Sequence, residues 1–312
     1  MSSSSISLAD HVLSLFTIGF LRVSAALPIA FVRAFAVGIG RVALFLLPRL
    51  HRVGMQNLDL AYGDTLSSAE KRRVLRGAMD NMALVAAEFS RLPLLAGQGS
   101  VPWVDVEGVE QVDLARGGIL ISGHLGNWEF MASAVARHGV KIAEVVRPLR
   151  HPRVNEIVDA TRRAGGFDTI PKAKAAVEVF RRMRAGELVG VLIDQAPRES
   201  AVPVTFFGKP CWATAAPVIF AVRGKAPVHL AVMRRKPDGR YALRVSPAIT
   251  LTRSGDFRQD LLENSQRLQD ALEAEIRENP EQWLWFHRRW KARPQLEAEW
   301  NARAKRDNDT TE

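Results

Sequence analysis

Thiol chemistry is almost absent from this chain: Cys211 is its single cysteine. No intramolecular disulfide can form, and a cysteine-based metal cluster is excluded. Two catalytic signatures are missing as well. There is no G-x-S-x-G turn to expose a serine nucleophile, and no H-E-x-x-H or paired-histidine motif to hold a hydrolytic metal. No internal repeat and no low-complexity linker interrupts the sequence. The most localised absence is of negative charge, since residues 11–58 contain neither Asp nor Glu.

What fills that acid-free stretch is Leu, Ile, Val, Phe and Ala, interrupted by Arg22, Arg33, Arg41, Arg49 and Arg52. Residues 11–32 are long enough to cross a bilayer but contain Arg22, and one mid-span arginine costs roughly 2.5–3.5 kcal/mol. Membrane association is expected here, as a tilted span or an interfacial helix, with a buried core helix as the alternative. Arg22 and Arg33 lie eleven residues apart, close to three helical turns, so one continuous helix puts them on one face. Pro28 and Pro48 are positions that kink or end helices. A cleaved signal peptide is not expected, because the first ten residues carry no Lys or Arg and include Asp10. The whole chain has 43 Lys+Arg against 33 Asp+Glu, a formal net charge of +10. That balance favours an anionic partner, either nucleic acid or acidic lipid. The apolar N-terminus favours lipid, and no basic module interleaved with exposed aromatics supports nucleic acid.

From its length the chain forms one large domain or two small ones. Residues 66–93 read as an amphipathic helix with a Ser67/Glu70 capping box and a stripe of Leu75, Met79, Met82, Ala86 and Phe89. Short apolar runs then alternate with helical stretches. Strands are expected at 118–122, 141–146, 188–194, 227–235 and 241–249. Helices are expected near 128–139, 155–166, 175–187 and 213–224, with a long polar helix at 256–277. This alternation predicts an α/β fold with a mixed, partly parallel central sheet flanked by helices. The last two strands, joined across Lys236–Arg240, form an antiparallel pair. The expected organisation is an N-terminal membrane-anchoring segment (1–50), an α/β domain (51–298) and a polar, disordered tail (299–312).

The chemistry concentrates at strand ends. After the strand at 118–122 come Gly123, His124, Gly126, Asn127 and Glu129. On one helix a five-residue step would put His124 and Glu129 about 140° apart, so they meet only if His124 lies in a turn and Glu129 in the first helical turn. A carboxylate on one imidazole nitrogen fixes the tautomer, and the other nitrogen can then accept a proton from a hydroxyl. Amides opening the helix can hold a developing oxyanion or a phosphate. No enzyme nucleophile is close in sequence, so a substrate hydroxyl attacks directly. Two further strands end in functional groups, one at Arg147 with Arg150 and one at Asp194 with Gln195. Parallel strands put all three ends on one edge, where open α/β sheets bind ligands. A metal hydrolase with His124, Glu129 and Asp194 as ligands is the rival chemistry.

The block "GHLGNWE" resembles the H-x4-D/E signature of glycerolipid-type acyltransferases. It is similar in particular to the form found in the late acyltransferases of lipid A biosynthesis. Blocks in "RVGMQNLDLAY", "VVRPLRHPRVNEIV", "LIDQAPRESAVPVTFFGKPCWATAAP" and "PEQWLWFHRRWKARP" agree in the same order, across roughly residues 10–294. Leu125 stands where the family often has Phe. The resemblance implies an enzyme on the cytoplasmic face of a bacterial inner membrane. It would move an acyl chain from an acyl carrier protein or coenzyme A thioester to a hydroxyl of a lipid A precursor or related glycolipid. His124 matches the family's base and Glu129 its orienting carboxylate, with no metal or cofactor. Asn127, Arg147, Arg150, Asp194 and Gln195 match blocks expected to line the site. Phe206, Phe207 and Gly208 match a block that could line an acyl groove, though a Phe pair also suits a core. Trp283, Phe286 and Trp290 share one face of a helix drawn through the last block. That arrangement suits a membrane-interface anchor with Arg288 and Arg289 on a phosphate-binding side, or a packed core with surface arginines.

Overall fold

A computed structural model describes residues 8–309 apart from 98, 100, 114 and 115. Three helices open it: α1 (Leu8–Ala26), α2 (Ile29–Leu46) and α3 (Pro48–Tyr62). The breaks fall where the two prolines stand. Pro28 lacks an amide hydrogen to donate and sits just before α2, and Pro48 opens α3. The 11–32 stretch is therefore not one helix, and Arg22 and Arg33 lie on different helices rather than on a shared face. Among the described residues, one helix, Ile29–Leu46, is long and apolar enough to cross a membrane. The expected boundary at residue 50 falls inside α3, so no linker separates an anchor from the rest.

Helix α2 lies along α4 (Ser68–Glu88), whose N-terminus carries the predicted capping box. Ser67 and Glu70 exchange hydrogen bonds with each other's backbone amides at 2.8 and 3.3 Å. Gly40 brings the two helix backbones together: a Cβ there would sit 3.1 Å from the Ala83 Cβ. The α2 arginines face α4. Arg41 forms a two-pronged pair with Asp80, and Arg33 Nε donates to Glu88 at 2.7 Å. The opposite face of α2 exposes Phe31, Phe35, Val42, Phe45 and Leu46. The buried arc of α4 is wider than the predicted stripe, because the helix is covered from two sides. Asn81, Val85 and Glu88 are buried while Ala86 is exposed.

A seven-stranded sheet follows, with spatial order β1-β9-β8-β2-β5-β3-β4. Its strands and helices come in the order β1 (Val104–Glu107), β2 (Gly118–Ser122), α5 (Trp128–Ala136), β3 (Ile142–Val146), α6 (Pro152–Ala164), β4 (Asp168–Pro171), α7 (Ala175–Arg184) and β5 (Leu188–Leu192). A separate hairpin, β6 (Ala201–Phe206) and β7 (Lys209–Thr214), precedes α8 (Ala216–Gly224), β8 (Val228–Arg235), β9 (Tyr241–Val245), α9 (Phe257–Glu278) and α10 (Pro294–Asp309). Strands β8, β2, β5, β3 and β4 are mutually parallel. Strand β9 pairs antiparallel with β8, and β1 parallel with β9. The mixed sheet is as the alternation predicted. The polar pattern of the short strands β1 and β4 gave no signal, and the β6–β7 hairpin was hidden by Pro203 and Pro210.

Both faces of the sheet are covered, which explains why β2 is apolar at successive positions rather than at alternate ones. Ile119 and Ile121 join the cluster beneath α8 and α9, while Leu120 joins the one beneath α5 with Phe130, Met131 and Val135. The C-terminal segment expected as a disordered tail carries α10 up to Asp309, held by buried Leu296 and by Trp300 under Arg258. Residues 310–312 of that tail lie outside the described residues.

One buried carboxylate joins these layers. Glu88, 1% exposed, receives Arg33 from α2, both terminal nitrogens of Arg235 from β8 (2.7 and 2.8 Å) and Asn127 Nδ2 at 2.8 Å, with the Tyr241 hydroxyl also donating to it. Removing one partner from such a pair strands the other charge in a low-dielectric interior. Glu88→Ala is therefore expected to lower stability by about 3–5 kcal/mol. Thermal unfolding of the purified protein reads this directly, and an unchanged midpoint would mean that water satisfies the arginines.

Candidate active site

The turn after β2 is shaped by glycines. Gly126 has φ +61°, and a Cβ there would lie 1.9 Å from the Met233 carbonyl oxygen, so no other residue fits the approach to β8. At Gly123 a Cβ would come 3.3 Å from Asp194 Oδ2. The chain then enters α5 through Asn127, whose Oδ1 accepts from the Phe130 amide at 3.0 Å. Asn127 is fully buried and its Nδ2 donates to Glu88. It is thus a helix cap and not a substrate contact, because both ends of its amide are consumed inside the protein.

His124 sits in this turn with its side chain 20% exposed. The carboxylate on its ring is not the expected one. Asp194, at the end of β5, receives Nδ1 at 2.9 Å and the His124 backbone amide at 2.8 Å. A third donor, Trp283 Nε1, completes the same carboxylate at 2.8 Å. Glu129 instead gives both oxygens to Arg162 of α6, at 2.7 and 3.0 Å. The physical reason is strand order. Strand β5 is the direct neighbour of β2, so Asp194 arrives beside His124, whereas Glu129 meets α6. The choice of Glu129 as orienting carboxylate is corrected accordingly, while its charge remains close enough to act on the imidazole.

These contacts set the tautomer. With the Nδ1 hydrogen on Asp194, Nε2 carries the lone pair, and the exposed Gln195 side-chain amide donates a long hydrogen bond to it at 3.4 Å. Burial of the ring opposes its cation, but the charge and hydrogen bond of Asp194, aided by Glu129, outweigh it. The His124 pKa is thereby raised above the ordinary 6.5. Burial alone would raise the Asp194 pKa, yet the His124 contacts and the Trp283 bond pull it down to about 2. Trp128 lies edge-on to the imidazole at 5.0 Å and walls one side.

A second buried acid lies within electrostatic reach of Glu129 and Arg162. Glu144 on β3 is 6% exposed and packs over Gly190, where a Cβ would sit 3.0 Å from its Cγ. Burial first, and then the Glu129 charge, push its pKa up to about 8, with Arg162 opposing. Neither Glu144 nor Arg162 was marked by the sequence. A glutamate flanked by strand apolars, facing a glycine on β5, is the one signal that could have marked Glu144.

The remaining expected residues divide. Arg147 and Arg150 are exposed after β3, with Arg147 acting electrostatically on Glu199. Phe206 and Phe207 are buried in a cluster with Trp283, Trp285 and Trp290, so they form core rather than an acyl groove. Phe207 (φ +53°) and Gly208 (φ +68°) make the two-residue turn of the β6–β7 hairpin, which needs left-handed backbone at both positions. The Trp block is not a helix. Trp283 and Trp285 are buried, so the membrane-anchor reading fails there. Arg289 is buried too, bonded to Gln269 Oε1 at 2.8 Å and to the Trp212 carbonyl, and it lies 5.0 Å over Phe206. It is therefore closed to phosphate, while Arg288 is exposed. Cys211 is buried on β7, and burial raises its pKa, keeping it a neutral thiol.

Residues 3–292 match the bacterial lipid A biosynthesis acyltransferase family. The chain belongs to that family. Among curated relatives, the lipid A biosynthesis lauroyltransferase of Escherichia coli is 25% identical over 89% of this chain and 91% of its own. The palmitoleoyltransferase of the same organism is 22% identical over 90% and 92%. The lipid A biosynthesis acyltransferase of Haemophilus influenzae is 23% identical over 78% of each. A solved 1-acyl-sn-glycerophosphate acyltransferase from Thermotoga maritima aligns over 79% of this chain and 97% of its own at 15% identity and TM-score 0.34. This acyltransferase thus has, at the shared edge of its parallel strands, a histidine with one nitrogen on a buried carboxylate and the other a lone-pair acceptor beside Gln195.

Titration of His124 checks the electrostatics. In the wild type its imidazole is expected to titrate above 6.5, and Asp194→Asn is expected to lower that value, because the main source of negative charge is gone. Histidine NMR across the pH range measures both. An unchanged midpoint in the variant would assign the shift to Glu129.

Proposed function

We propose that this protein transfers a fatty acyl chain from a thioester donor to a hydroxyl of a lipid A-like glycolipid, with His124 as general base. The observation that carries the reading is the pairing of His124 Nδ1 with buried Asp194, which leaves Nε2 as a proton acceptor in a partly exposed turn. The family match supports the acyl transfer and the acceptor class. Acyl carrier protein or coenzyme A is the thioester donor.

The steps follow from the geometry. The acceptor hydroxyl donates its proton to His124 Nε2 as its oxygen bonds to the thioester carbonyl carbon. Asp194 holds the imidazolium that forms, without taking its proton. The carbonyl oxygen gains negative charge in the tetrahedral intermediate. The backbone amides of Leu125, Gly126 and Asn127 are spent on Gly123, Gln282 and Met233, and that of Phe130 on Asn127 Oδ1, so the amides that open α5 toward that charge are those of Trp128 and Glu129. Collapse breaks the carbon–sulfur bond, and the departing sulfur takes the proton from His124. An ester and a free thiol result. Glu129, paired with Arg162, contributes by its charge.

His124→Ala is expected to lose about 10²–10⁴-fold in turnover while remaining folded. Asp194→Asn loses activity over the same range, since the tautomer is no longer dictated. Glu129→Gln loses less, because it does not bond the ring. In the wild type the rate should rise with pH through a midpoint above 6.5, since the base must be neutral and its cation is stabilised. Assay of radiolabelled acyl transfer across pH for the three variants tests this. Full activity of His124→Ala would remove His124 as the base.

The protein associates with the membrane through α1 and α2, on the cytoplasmic side of the inner membrane where the acyl donors are. Phe16, Phe20, Phe31, Phe35 and Phe45 are all exposed, an apolar surface of the kind that marks membrane contact. Replacing Phe31, Phe35 and Phe45 by Ser should release much of the protein from phosphatidylcholine vesicles in flotation. If the variant floats as the wild type does, the contact lies elsewhere on the chain.

A further inference from the structure

Gln195 follows Asp194 at the end of β5, and its side-chain amide donates to His124 Nε2, the nitrogen that takes the proton. The backbone on either side of it is fixed. The Ile193 amide donates to the Ser122 carbonyl at 2.8 Å, and the Ile193 carbonyl accepts from Gln269 Nε2 at 3.1 Å. Asp194 is held by its three bonds to His124 and Trp283. The Ala196 amide donates to His287 Nε2 at 3.1 Å, and the Ala196 carbonyl accepts from Arg293 Nη2 at 3.4 Å. Burial lowers the His287 pKa, so that ring stays neutral and keeps the lone pair that receives Ala196. Ile193, Asp194 and Ala196 are buried, and Gln195 alone among them is exposed.

A rigid segment thus carries one movable donor. At 3.4 Å its bond to His124 is longer than the roughly 2.7–3.2 Å of ordinary N–H donors. An exposed amide exchanges so long a bond for water or substrate at little cost. The acceptor hydroxyl must take the same lone pair, because proton transfer needs it within about 2.6–3.2 Å of Nε2. Its arrival displaces the Gln195 amide from the ring but leaves it beside the ring, since the backbone that carries it cannot follow. The thioester carbonyl carbon bonds to that hydroxyl oxygen, so the carbonyl oxygen lies only two bonds beyond it. A carboxamide brings two N–H donors to this place without a charge of its own.

We propose that Gln195 is a catalytic residue: when the acceptor hydroxyl takes its place at His124 Nε2, the Gln195 carboxamide donates to the thioester carbonyl oxygen as negative charge grows there. No proton leaves the amide, and its bond weakens again when the carbon–sulfur bond breaks and the carbonyl re-forms. Donors set in place before the charge appears cost no reorganisation at the moment of reaction. Gln195 supplies such a donor from β5, where Trp128 and Glu129 supply theirs from α5. In the free enzyme the same amide covers the base and favours its neutral form. The inference rests on the acyltransfer reading with His124 as base.

The test uses the full chain. Gln195→Leu removes the donor, and Gln195→Glu replaces it by an acceptor of the same shape. Neither removes a bond that holds the segment, so both are expected to unfold at the wild-type temperature. Transfer is assayed from a radiolabelled acyl thioester of acyl carrier protein to a lipid A precursor, at a pH well above the His124 midpoint so that the base is neutral in each protein. Both variants should lose about 10²–10³-fold in kcat, with the KM for the acceptor within about twofold. Gln195→Asn, whose donors fall one methylene short, is expected between them and the wild type. In histidine NMR of the free protein, Gln195→Leu should move the His124 midpoint upward, because the lone pair loses a donor that favours the neutral ring. A raised acceptor KM with kcat unchanged would make Gln195 an acceptor contact and overturn the proposal. Wild-type kcat in Gln195→Leu or in Gln195→Glu would overturn it, since no donor is then needed. An unmoved His124 midpoint would mean that the amide is not on the base, and would overturn it too. The two readings fail separately. Full activity of His124→Ala removes the base, whereas an inactive His124→Ala beside a fully active Gln195→Leu removes only the role of Gln195.

Discussion

Three donors converge on one buried carboxylate. Asp194 takes His124 through both its ring and its backbone amide, and Trp283 through its indole. Those bonds tie together the end of β5, the turn after β2 and the C-terminal segment, which are far apart in the chain. Burial alone would push its pKa up, and these bonds bring it down instead, to about 2. The tautomer of His124 and the position of Trp283 both follow from this arrangement.

A second buried acid extends the constraint to the surface. Glu88 holds the Asn127 cap from inside, and through Arg33 it holds the apolar helix α2 from outside. The exposed phenylalanines and the candidate catalytic turn are therefore parts of one body. Because α2 turns its arginines toward α4 and its phenylalanines outward, it lies along the protein instead of standing away from it. The same logic accounts for Arg289. Enclosed by Phe206, Gln269 and the Trp212 carbonyl, it serves packing, and the exposed basic residues around it are left to meet ligands.

Local pattern carried much of the fold and one half of the site. The capping box at Ser67, the strand at 118–122 and the antiparallel pair after Lys236 are set by nearest neighbours along the chain, and each was legible. Strand β4 and hairpin β6–β7 were not, since their residues become strands only by pairing with partners elsewhere. His124 was legible because a histidine after a buried strand and before a glycine turn is a local feature. Its partner was not. Glu129 was nearer in sequence, but β5 inserts between β2 and β3, and that order delivers Asp194 instead.

The sequence by itself therefore determined the alternation of strands and helices, the shared edge where their functional ends meet, the apolar N-terminus and the basic charge. Those properties depend on residue type and spacing, which no packing can alter. Tertiary structure alone decided which acid meets which base, whether tryptophans face lipid or core, and which arginines remain open to an anion. A side chain's role depends on what covers it, and for Asp194, Trp283 and Arg289 every covering group comes from a distant part of the chain.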